Sequence, residues 1–83
     1  MSLRTAARHL AQGQWEKAHV IAQADESALG CWLHGIVHLQ EGDVGNARYW
    51  YGRSGRTFPL GAERDITTEV AALTFAVEGD ERV

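Results

Sequence analysis

One cysteine, one proline and one methionine are all that this 83-residue sequence holds of those residue types, and each scarcity narrows the field. A lone thiol, Cys31, cannot form an internal disulfide, so the disulfide scaffold of many small secreted domains is ruled out and a reducing, cytoplasmic setting is expected. The single proline, Pro59, leaves the rest of the chain free of that helix breaker. No run approaches the roughly 18 apolar residues of a membrane span. Residues 1–12 lack the continuous apolar core of a secretory signal, and Arg4 and Arg8 without a nearby acid only weakly imitate a transit peptide. Phosphate-binding glycine loops, GxSxG elbows and HExxH helices are also missing. No enzyme and no cofactor are therefore expected.

What is present suits one helical domain over residues 1–83. Apolar residues make up 45% and charged residues 23%, near the average for globular chains. The net charge is −3, unevenly spread. Arg48, Arg53 and Arg56 stand in residues 44–62 without an acid, between acidic flanks. Arg48, Tyr49, Trp50, Tyr51, Arg53 and Arg56 interleave cations with aromatics as single-strand nucleic-acid binders do. Three arginines on an acidic chain are better accounted for by pairing with carboxylates, such as those of the last helix, so nucleic acid is not the expected partner.

The chain also repeats itself. His9-Leu10, Gly13 and Ala18 recur 29 residues later as His38-Leu39, Gly42 and Ala47, and Ala6 corresponds to Gly35. Glycine at 13 and 42 permits the positive φ that ends a helix, and alanine at 18 and 47 lets a returning helix pack closely. This organisation predicts two helical hairpins, at residues 2–24 and 28–55. Their helices are Ser2–Ala11, Trp15–Ala24, Ala28–Gln40 and Asp43–Ser54, with Ser2 and Asp43 as caps and Asp25-Glu26-Ser27 opening the third. Helix three is apolar around most of its circumference and belongs at the centre. Helix five, Ala62–Glu78, carries Ile66, Val70, Leu73 and Val77 on one face and caps the stack. Phe75 lies outside that stripe and is read as a surface anchor.

Cys31, His34-Gly35, His38, Ala47, Tyr51 and Pro59 resemble, in spacing, the pattern of a tetratricopeptide (TPR) repeat. Cys31, His34 and His38 stand where that family carries large apolar or tyrosine side chains. The first hairpin keeps Ala6, Gly13 and Ala18 but is shorter than the usual repeat of about 34 residues. Gly13–His19 and Trp32–Arg56 further resemble a group of small uncharacterised bacterial TPR-like proteins. The resemblance implies an all-α, five-helix TPR-like stack of bacterial origin, two hairpins plus a C-terminal capping helix, and brings no biochemical activity with it.

Two sets of candidate residues follow. TPR-like stacks present a groove lined by the first helix of each hairpin, which here displays Leu29, Trp32, Ile36 and Gln40. Either helix five or a partner helix or peptide covers it, since apolar surface costs about 25 cal/mol per Å² left in water. With Phe75, these residues define a protein-interaction module, and a homodimer is expected because two hairpins leave much surface to cover. The alternative is a small metal- or ligand-binding protein. Cys31, His34 and His38 fall within a strip about 60° wide on helix three, Glu41 lies one turn on, and His19 on helix two can complete a zinc or copper ligand set. The competing structural expectation is a polar core patch, its imidazoles bonded to carbonyls, Asn46 or Tyr49. A Cys31 nucleophile with His34 or His19 as base lacks an oxyanion hole and is set aside.

Overall fold

The computed structural model describes residues 2–59, Gly61 and residues 65–81, the last two by backbone alone. The described residues form five α-helices and no strand: α1 (Leu3–Ala11), α2 (Trp15–Ala22), α3 (Ala28–Glu41), α4 (Val44–Ser54) and α5 (Ile66–Glu81). None of these helices is long and apolar enough to cross a membrane.

Short polar side chains start three of the helices by accepting otherwise unpaired backbone N–H groups. Ser2 Oγ accepts from Thr5 N at 3.2 Å, Ser27 Oγ from Gly30 N at 3.0 Å and Asp43 Oδ1 from Asn46 N at 3.2 Å. Asn46 holds the exposed Asp43 carboxyl below its ordinary range. At the far end of α3, Gly42 turns to φ +92° and both its N–H and that of Asp43 return to the His38 carbonyl. Gly13 does the same work after α1 at φ +73°. Helix α2 stops at Ala22, two residues before the predicted Ala24, because Gln23 to Asp25 close turns back onto His19, Ile21 and Ala22 instead of extending the helix. Helix α5 runs to Glu81 rather than Glu78. Its predicted start at residues 62–64 lies outside the described residues.

Helix α3 is the axis of the molecule. Every residue from Gly30 to Leu39 is buried, and α3 touches each of the other four helices. Its tightest approach is to α4, where a Cβ added to Gly35 would meet Tyr51 Cδ1 at 2.5 Å, a separation real side chains do not tolerate. Helix α5 lies across α1 and α3 and buries Val70, Leu73 and Val77 against them, with Ile66 packed at the margin. Removing such aliphatic side chains from water is the main force that docks it, at about 1.5–3 kcal/mol for each.

The α5 contact is also polar at one point. Glu69 Oε1 accepts from Trp32 Nε1 of α3 at 3.2 Å and from the Tyr51 hydroxyl of α4 at 2.5 Å. Burial first, and then the Glu69 bond and charge, hold the Tyr51 phenol well above its ordinary range, so it remains a donor. Arg56 lies 3.6 Å over the Trp32 ring.

Candidate functional site

The residues singled out above separate into two places on either side of α3. The first lies where α2, α3 and α4 meet. His34 and His38, one turn apart on α3, are joined by His19 from α2, and one ligand atom from each falls within 4.8 Å of the others. His19 Nε2 and His34 Nε2 are 3.2 Å apart, sharing one proton. The three ring centroids are separated by 4.9, 5.3 and 5.0 Å. His34 stacks on Trp50 of α4 at 3.9 Å and 9°, which fixes the ring plane. His38 Nδ1 bonds Glu41 Oε1 at 2.7 Å, so a neutral His38 donates from Nδ1 and keeps the Nε2 lone pair free.

Burial, then the neighbouring His38 and His19 rings, push the His34 imidazole down from 6.5 to about 4. It is therefore neutral near pH 7, with a lone pair to offer. His34 and His38 are 5% and 7% exposed and His19 is half-buried, so the cluster sits at the margin of the core. A cavity of about 310 Å³ reaches His34 between Trp50, Ala22 and the Asp25-Glu26 bend.

Cys31 does not belong to this group. Its thiol is buried and turned toward the Glu26 carbonyl at 3.7 Å. It shares a helical strip with His34, but its turn faces the α2–α3 loop rather than His19. The expected imidazole partners also differ: His34 bonds His19 and His38 bonds Glu41, whereas Asn46 spends its side chain on Asp43 at 3.0 Å.

The second place lies where the ends of α1 and α3 meet α5. Of the five residues expected to face a partner, Trp32 and Ile36 are 1% and 0% exposed. Helix α5 packs on this side of α3 and offers no open groove at Trp32, whose ring nitrogen is bonded to Glu69. Leu29 packs half-buried at the core margin. Gln40 and Phe75, by contrast, border a common cavity of about 630 Å³ with Leu10, Ile66, Val70 and Thr74. Gln40 Nε2 donates to the Leu10 carbonyl at 2.6 Å, while its buried Oε1 has no hydrogen-bond partner among the described residues. Phe75 stands 81% exposed at the rim.

The arginines are arranged differently from expectation. Arg48 lies over Phe58 at 4.4 Å, Arg53 over Trp50 at 5.3 Å and Arg56 over Trp32. Their guanidiniums cover ring faces that a stacked base would need, and among the described residues cation–π attraction stands where pairing with α5 carboxylates was expected. Helical periodicity did not single out Glu69. The available signal was an acid three residues after Ile66 and four before Leu73, set in an apolar stripe.

No protein-family model, curated protein or solved structure matches this chain.

Proposed function

We propose that the chain is a non-catalytic, cytoplasmic protein-interaction module of TPR type, with α1–α2 and α3–α4 as its two hairpins and α5 as the cap. The observation that carries this reading is Phe75, an aromatic side chain left 81% exposed beside a largely apolar cavity. Gln40 in its wall donates Nε2 to the Leu10 carbonyl and keeps Oε1 buried, with no partner among the described residues. Such a recess takes the apolar face of a helix or an extended peptide.

The first partner to test is a second copy. Projecting ring and recess share one face, so twofold symmetry seats each Phe75 at the other copy's cavity. Sedimentation equilibrium of the wild type and Phe75→Ser is the experiment. A dimer weakened at least tenfold by the substitution, with unchanged helicity, supports self-association. A monomer directs the search to displayed peptides, mapped by amide shifts at Leu10, Gln40 and Val70. A monomeric chain whose cavity amides no peptide shifts defeats the reading.

A further inference from the structure

We infer that His19, His34 and His38 form a binding site for one divalent first-row cation, with zinc the best match. The inference is independent of the interaction reading, because the cluster lies between α2, α3 and α4, whereas the Phe75 cavity lies against α5.

The argument begins with ligand type and number. Imidazole suits zinc, copper, nickel and iron, and three imidazoles with a place left for water make a familiar zinc coordination sphere. Two of the nitrogens already stand at nearly the required separation. Zinc–nitrogen bonds of about 2.0–2.1 Å at tetrahedral angles put ligand nitrogens about 3.3–3.4 Å apart, and His19 Nε2 and His34 Nε2 are 3.2 Å apart. For this pair metal binding needs only a shift of the shared proton to a ring Nδ1, while the His38 ring, whose ligand atom lies within 4.8 Å of the other two, swings in to complete the set.

The surrounding shell points the same way. A metal-ligating histidine commonly donates its second nitrogen to a carboxylate, and His38 Nδ1 is held by Glu41 at 2.7 Å. Trp50 fixes the plane of His34. The approach is acidic: Asp25 and Glu26 line the cavity that reaches His34, and opposite charge at the mouth lowers the cost of bringing in a dication. A second set of metal-capable groups, His38, Glu41 and Asp43, is less suitable, because the Asp43 carboxylate is occupied at the start of α4 and Glu41 is occupied by His38.

The geometry also gives each residue a separate prediction. Chelator-treated protein is titrated with zinc(II) alone by calorimetry and with cobalt(II) alone as an optical probe. The expected result is one ion per chain and a cobalt spectrum of nitrogen and oxygen ligation without a thiolate charge-transfer band. Cys31→Ser should bind zinc within twofold of the wild type, His19→Gln at least a hundredfold more weakly, and Glu41→Gln tenfold to a hundredfold more weakly. His19 is half-buried, which makes its substitution the least disruptive of the three ligands, and circular dichroism checks the fold of each variant. Ring-nitrogen NMR of the wild type needs no substitution: zinc should move His19, His34 and His38 and leave His9 unmoved. Absence of saturable 1:1 binding overturns the site, as does His19→Gln binding equal to the wild type, a thiolate band with cobalt, or ring shifts confined to other histidines.

Discussion

The two hairpins, α1–α2 and α3–α4, match at several positions 29 residues apart, yet they fill two of those positions with different volumes. In the second, Gly35 of α3 has no side chain and Tyr51 of α4 fills the space, its ring where a Cβ at position 35 would be. In the first, the equivalent positions are Ala6 and Ala22, both buried. Side-chain volume is thus distributed differently over the matching positions: a methyl at each in the first pair, no side chain and a phenol ring in the second. The histidines diverge in the same way. His9 sits half-buried and bonds Gln14 at 3.0 Å, while its counterpart His38 enters a buried cluster.

The largest expected break in this comparison is Tyr51→Ala. It empties the volume that Gly35 makes available and strips a donor from Glu69, so a loss of about 3–5 kcal/mol is expected in urea unfolding. Ala22→Gly in the first hairpin should cost much less, and equal losses would show that the hairpins do not differ as described. Gly35→Ala comes next, at up to about 3 kcal/mol from overpacking against the ring. In the Tyr51→Ala background the same substitution should be almost neutral, a coupling that a double-mutant cycle measures directly.

Acid should act mainly on the second hairpin. Burial and the His38 and His19 rings lower the His34 imidazole to about 4, so between pH 6.5 and 4 the unfolded chain takes up a proton that the folded chain refuses. That contribution is complete above about pH 6.5 and is lost as pH falls, amounting to about 2 kcal/mol between pH 7 and 5 for the metal-free protein. His34→Gln should flatten the slope. The smallest effect tests what the hairpins share: Gly13→Ala and Gly42→Ala should each cost about 1–2 kcal/mol for a left-handed alanine, by similar amounts in thermal melts.

Much of this frame was legible in the sequence because it rests on local rules. The turns at Gly13 and Gly42, the starts at Ser2, Ser27 and Asp43 and the central place of α3 follow from backbone requirements and from an all-round apolar helix. What a helical wheel cannot supply is the neighbour. It places Cys31 and His34 on one strip, but only the packing of α2 decides that His34 meets His19 while Cys31 meets the Glu26 carbonyl. The same limit applies to the groove. The stripe through Leu29, Trp32, Ile36 and Gln40 was visible, but whether α5 or a partner lay over it depended on long-range docking through Glu69. For Arg48, Arg53 and Arg56, carboxylates are the usual partners of cations, whereas among the described residues each guanidinium lies over an aromatic ring.

That single carboxylate oxygen on α5 has a further consequence. An apolar stripe of Val70, Leu73 and Val77 tolerates sliding, since a helix moved by one turn, about 5.4 Å, brings similar side chains to the same surface. Glu69 Oε1 does not tolerate it, because donors from two different helices converge on that one atom. A slipped α5 would leave an indole N–H and a phenol without their acceptor. Glu69 thus acts as an index mark: the hydrophobic face sets how firmly the last helix is held, and one oxygen sets its register.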